Sequence, residues 1–155
     1  MRKLLETISL LALLTLLWMS GSALYGANHL PDKIPTHFDF AGNPDAWGSS
    51  QMLLLLPAIG IFLYLTISFV SRFPNSFNYP VRVSAQNRVR LQSIALNMIA
   101  FLKAETICLF ALLQYYTLQA ARSNRLGLPP FLMLTAIAVI FITMGAHVAA
   151  MRRAR

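Results

Sequence analysis

Two sets of polar residues in this sequence have the types and spacing to do chemistry. The first is His37, Asp39 and Asp45, with His29 and Asp32 just before them. Imidazole nitrogens and carboxylate oxygens are ligands for a divalent ion, and His37 and Asp39, two positions apart, would share one face of a strand. No dense metal motif such as His-x-x-x-His occurs. The simpler use of these residues is a compact hairpin over the rest of the protein, with His37 and Asp39 bonded to backbone groups and Gly42 in a positive-φ turn. A third use is recognition of a peptide or a lipid headgroup, and the presence of a metal is left open.

The second set is Lys103, Glu105, Asn97 and His147, all inside apolar sequence. Lys103 and Glu105 fall near the middle of their apolar run. A charge at that depth costs about 2.5–3.5 kcal/mol on insertion scales, so such residues face other helices or water. Residues two apart point about 200° apart around a helix, so Lys103 and Glu105 are expected to meet different neighbours. Lys103 shares a face with Gln114, and the depth of His147 matches Asn97 better than Glu105. The set could line a polar cavity for an ion, a proton or a small ligand. Alternatively Lys103 and Glu105 bond to hydroxyls such as Thr15 or to backbone carbonyls, at about 0.6–2 kcal/mol per contact between membrane helices.

Hydrolytic and cofactor chemistry find no support. The sequence has no Gly-x-Ser-x-Gly elbow, no His-Glu-x-x-His, no phosphate loop and no dinucleotide fingerprint. Glu105 is alone at its depth, so no pair of catalytic carboxylates forms. The expectation is a protein that is not an enzyme and needs no cofactor.

The elements that must position these residues follow from composition. The chain of 155 residues is 57% hydrophobic and only 12% charged, more apolar surface than a soluble domain of this size can hide. Four apolar stretches, at about 4–27, 52–71, 91–121 and 131–151, reach the roughly 20 residues a membrane-spanning helix needs. The expected fold is an all-α membrane protein, a single domain over 1–155. It is a four-transmembrane-helix bundle with a short extracytoplasmic hairpin-like loop at 28–51 and a cytoplasmic loop at 72–90. Arg2, Lys3 and the small residues Gly21-Ser22-Ala23 resemble a signal peptide. The first apolar run is too long for that, and Glu6 interrupts it, so a retained helix is expected.

Within the outer loop, Ile34 to Phe40 reads as a strand, Ala41-Gly42-Asn43-Pro44 as a turn and Asp45 to Gly48 as the return. Pro74 and Pro80 forbid a continuous helix in the other loop, after which Ser84 can cap the third helix. Pro57 and Gly60 are expected to kink the second helix, and Gly145 and Ala149 form a small-xxx-small step on the fourth. The single cysteine, Cys108, has no intrachain partner.

Charge sets the orientation. Arg2, Lys3, Arg72, Arg82, Arg88, Arg90, Arg152, Arg153 and Arg155 fall on one side, nine in all, against Lys33, Arg122 and Arg125 on the other. The positive-inside rule then puts both termini in the cytoplasm. Trp18, Tyr25, Trp47, Tyr115 and Tyr116 lie near the expected outer boundary. The net charge of +8 is spread over membrane flanks, not gathered in a patch, which argues against nucleic acid and for the lipid bilayer as partner.

The run from Leu30 to Asp39, followed by Gly42, Pro44 and Asp45, resembles the signature of the family of domain of unknown function 1648. That domain also occurs at the N-terminal end of bacterial Sdp-type immunity proteins. The resemblance extends to Phe73-Pro74, to Asn78-Tyr79-Pro80-Val81 and to Leu102-Lys103, about the first two-thirds of the chain. Family members usually carry a Lys near the start of helix two, where this chain has Ser50 and Gln51. The resemblance implies a multi-pass protein of a bacterial inner membrane, in a family mostly without assigned activity; the reading it suggests is sensing of, or immunity to, an envelope-active peptide. In that reading the outer loop is the receptor face and Asn78-Tyr79-Pro80 the output. Two other classes remain in view: an accessory subunit bound to a membrane-protein partner, and an oligomer that passes a small ion or solute.

The orientation can be tested directly. In a Cys108→Ala background, Asp45→Cys is expected to react with a membrane-impermeant maleimide added to intact cells. Labelling only after permeabilisation would reverse the topology.

Overall fold

The computed structural model describes residues 1–26, 30–123 and 127–154, so His29, Arg125 and Arg155 lie outside it. Four helices form the body: α1 (Arg2–Tyr25), α2 (Leu55–Val70), α3 (Arg88–Ser123) and α4 (Leu132–Arg153). Each of the four spans, with α2 extended back to Ser50, is long and apolar enough to cross a membrane. The chain is an all-α membrane protein with a small two-stranded sheet.

Lipid offers no hydrogen bonds, so the backbone must satisfy itself within each span. Hydroxyls do likewise: Ser9 donates to Glu6 O at 2.9 Å, Thr15 to Leu11 O at 2.9 Å and Ser20 to Leu16 O at 3.0 Å. Thr15 is therefore used within its own helix and is a partner of neither Lys103 nor Glu105. The buried face of α1 runs Leu5, Ser9, Leu13, Leu16, Ser20, Ala23, one residue per turn. Leu11, Leu14 and Trp18 point outward, where lipid would lie.

Helix α3 is the axis of the fold. Its 36 residues span about 54 Å at 1.5 Å per residue, well beyond a ~30 Å hydrocarbon core. Along its upper part pack α1 and α2, around Leu13, Leu16 and Ile107. Gly60 makes this approach close, since a Cβ there would sit 3.1 Å from Leu16 Cδ2. The lower end of α3 extends below those helices. There Leu91 and Ala95 meet Met151 and Ala154 of α4, and Phe77, Tyr79 and Val81 of the proline-containing loop. Helix α4 packs on α3 and is otherwise largely exposed, with Gly145 and Ala149 on its open side.

Local signals end the elements. Ser84 and Asn87 form a reciprocal cap at the start of α3, with Asn87 N–H donating to Ser84 Oγ at 3.3 Å and Ser84 N–H to Asn87 Oδ1 at 2.8 Å. A 3-10 turn, Ser50–Leu54, precedes α2. Pro57 then sits in the first α turn, where a proline is tolerated. The α-helix is continuous from Leu55 to Val70 through Pro57 and Gly60.

Strands β1 (Lys33–Phe38) and β2 (Pro44–Ser49) pair antiparallel, Lys33 opposite Ser49 and Ile34 opposite Gly48, with the register shifting on either side of His37. Ile34, only 1% exposed, anchors the hairpin on Ala23, Leu53, Leu118 and Ala121. Gly42 takes φ +84° at the tip, and its carbonyl accepts from Leu128 N–H at 2.8 Å, joining the hairpin to the segment before α4. A Cβ on Gly42 would lie 1.7 Å from Leu128 O, and one on Gly127 would lie 2.2 Å from Gly42 O. Gly42→Ala is thus expected to cost about 1–3 kcal/mol from backbone strain alone, read as a lower melting temperature in detergent and faster proteolysis of the hairpin. An unchanged melting curve would mean that the tip is not docked.

Candidate functional site

Lys103 is 1% exposed although it carries a full charge. Its ammonium donates to Glu6 of α1 and, at 2.9 Å, to Ser68 Oγ of α2, and it lies 4.6 Å from the ring centroid of Tyr64. One side chain therefore ties three helices together, using two acceptors and a cation–π contact. Glu6 lies one turn inside the start of α1, and Ser68 two residues before the end of α2. Lys103 thus sits near the end of the span that carries the N-terminus, not at the middle of the membrane. The apolar run gave a misleading depth because α3 begins well outside the span.

Gln114, on the same face of α3, makes the second polar tie. Its Nε2 donates to Ser20 Oγ at 2.9 Å and to Leu53 O at 3.1 Å. The Leu53 carbonyl cannot receive the usual α-helical bond, because the residue four ahead is Pro57, which has no N–H. Gln114 also lines a cavity of about 390 Å³ beneath the hairpin, with Ile34, Thr36, Phe38, Met52 and Leu113 among its walls.

Glu105 faces the other way. Its Oε1 accepts from Thr143 Oγ1 of α4 at 2.6 Å, while Oε2 is buried with no donor among the described residues. His147 Nδ1 lies 2.8 Å from Thr143 O, and the imidazole ring is 5.5 Å from the Phe101 ring. Phe101 is midway in sequence between Asn97 and Glu105, so His147 is no nearer Asn97 in depth. Asn97 is half-buried and makes no side-chain hydrogen bond among the described residues. The four intramembrane residues named from sequence do not converge: Lys103 belongs to the α1–α2 side of α3, Glu105 and His147 to the α4 side.

Among the described hairpin residues, His37 and Asp45 come together, and Asp32 and Asp39 do not join them. His37 Nδ1 and Asp45 Oδ1 lie 2.6 Å apart across the strands, both well exposed. Asp39 falls just beyond β1 and closes the turn, accepting from Asn43 N–H at 2.8 Å. The shifts around His37 and the end of β1 at Phe38 separate it from Asp39, so the pair does not present one strand face. Asp32 is exposed, and its backbone carbonyl accepts from Ser50 N–H at 3.1 Å. Among the described residues no three His, Cys, Asp or Glu side chains are grouped to hold a metal. In the other loop, the Tyr79 hydroxyl donates to Pro74 O at 2.7 Å, and burial raises its pKa.

A family model matches the stretch that builds the hairpin and most of the cavity wall. Residues 10–61 match the domain of unknown function DUF1648. The DUF1648 match takes in most of α1, both strands and the head of α2, including Ser20, Leu53 and Gly60. Phe73-Pro74 and Leu102-Lys103 lie outside it. A protein of Archaeoglobus fulgidus described as uncharacterized is 36% identical over 86 residues, 50% of this chain. The chain spans 45% of that relative's length. The similarity thus reaches an archaeon. No solved structure matches the chain.

The Lys103 tie makes an unequal prediction. Glu6→Leu strands a buried ammonium and is expected to cost about 3–5 kcal/mol. Lys103→Met leaves a carboxylate that is 43% exposed and can rehydrate, so its cost should be clearly smaller. Unfolding titrations of both variants in mixed micelles check this, and the reverse order would contradict the tie.

Proposed function

We propose that this multi-pass membrane protein is a non-catalytic binder of a cationic amphipathic peptide, taken at the hairpin end. The observation that carries the reading is the 390 Å³ cavity under the hairpin, within the 300–1,000 Å³ range typical of ligand pockets. Its walls are mostly apolar, which suits the apolar face of such a peptide. The loop above carries Asp32, Asp39 and Asp45 against Lys33 alone, in a chain otherwise rich in Lys and Arg. That local negative charge favours a cationic ligand. Phe40 is fully exposed at the hairpin tip and Trp47 is 47% exposed, two aromatic surfaces available to a ligand or to the lipid headgroups.

In this reading the positive-inside count puts the hairpin outside the cytoplasmic membrane and both termini within the cytoplasm. The biological role is then sensing of, or protection from, an envelope-active peptide. Transport through a path joining Lys103 and Glu105 has less support, because the two face opposite sides of α3. An accessory-subunit role is favoured only by the exposed side of α4, and a stoichiometric partner recovered in mild detergent would promote it.

The test uses a fluorescein-labelled Leu/Lys amphipathic peptide and the full chain in phosphatidylcholine nanodiscs. Met52→Trp, which fills the cavity from its exposed wall, is expected to weaken binding about tenfold, the loss of one good apolar contact set. Asp45→Asn should weaken it a few-fold, and only at low salt. Equal affinity in all three proteins would remove the hairpin cavity as the site.

A further inference from the structure

The α4 side of α3 holds a second feature, separate from the hairpin cavity. A groove of about 230 Å³ runs between the two helices, lined by Glu105, Cys108, Leu109, Leu132, Thr135 and Val139 among others. We propose that it is a membrane-embedded site for a lipophilic amine: a protonated amine on an apolar body, held by Glu105.

Three observations lead there. Glu105 Oε2 is a buried carboxyl oxygen with no donor among the described residues, while Oε1 is fixed by Thr143 at 2.6 Å. The carboxyl is therefore oriented but incompletely satisfied, and one hydroxyl bond does not offset the cost of a carboxylate in an apolar setting. The cation that could neutralise it from the same helix, Lys103, lies on the opposite side and is already held by Glu6, Ser68 and Tyr64. Glu105 therefore lacks a positive partner among the described residues. Finally, the rest of the groove is almost wholly apolar, and Leu112 and Val139 on its walls are 45% and 44% exposed. It opens sideways, toward the lipid chains.

These features select the ligand chemistry. Calcium and magnesium take six or more oxygen ligands and zinc about four from Cys, His and carboxylate, whereas the groove offers one carboxyl, the Thr135 hydroxyl and the Cys108 thiol. A protonated amine needs one carboxylate, supplies the N–H donors that Oε2 lacks, and makes a charge-assisted bond. The groove is smaller than a drug-sized pocket, so it would hold the head and the first part of the apolar body, the remainder lying in lipid.

The test measures monodansylcadaverine fluorescence with the full chain in phosphatidylcholine nanodiscs. Saturable binding is expected, weakened about tenfold or more by Glu105→Gln, which keeps the shape and the acceptor for Thr143 but removes the charge. Val139→Phe, narrowing the groove, should weaken it also. Met52→Trp should leave it unchanged, which separates this site from the hairpin cavity. The N-acetylated probe, which has no charge, should bind about tenfold more weakly than the amine. Equal binding by wild type and a folded Glu105→Gln, or by amine and acetylated probe, would overturn the proposal. Should Glu105→Gln fail to fold, the two probes on the wild-type protein decide alone.

Discussion

A buried ammonium cannot be left to solvent, and in this protein its partners come from other helices. Lys103 projects from α3 toward the N-terminal end of that helix, as side chains on helices do, and reaches Glu6 on α1 and Ser68 on α2. Between apolar helices in lipid there is no hydrophobic force to choose one depth over another, and packing and polar contacts decide. The Lys103 tie fixes the depth of α1 and α2 against α3 at one end. Gln114, eleven residues along α3 and about 16 Å away, fixes it at the other through Ser20 and Leu53. The packing of Leu13, Leu16, Ile107 and Gly60 between them depends on that register.

The same geometry makes α3 two-sided. Among the described residues, no buried side-chain nitrogen or oxygen on its α1–α2 face lacks a partner, and the Leu53 carbonyl accepts from Gln114. Its α4 face differs. Helix α4 rests on α3, leaving Glu105 with one oxygen bonded and one bare. The amine proposed for the groove would supply the donor that Oε2 lacks among the described residues.

The hairpin is held by backbone as much as by side chains. Ile34 plugs into the upper core, while Gly42 and Gly127 let two chain segments meet with no Cβ between them. With the tip fixed this way, the strands roof the cavity over Gln114 instead of swinging free. Most of the roof comes from the DUF1648 segment and the floor from α3, so the cavity is complete only when the segment packs on the rest of the chain.

Sequence alone determined the four spans, because continuous apolar runs of that length have one stable solution in lipid. It determined the hairpin, through the proline, glycine and asparagine turn signals, and the Ser84 cap. Helical periodicity also required Lys103 and Glu105 to face different neighbours. It could not determine who those neighbours are. Glu6 read as an interruption, and Ser68, Tyr64 and Thr143 carried no signal, because partner choice depends on the relative depth and rotation of helices whose apolar faces look alike. The choice of Thr15 as a partner of Lys103 or Glu105 failed for that reason. So did the expected depth of Lys103, since where α3 enters the span is fixed by the helices beside it. Only the packed structure set those rotations and depths, closing one side of α3 and leaving Glu105 open on the other.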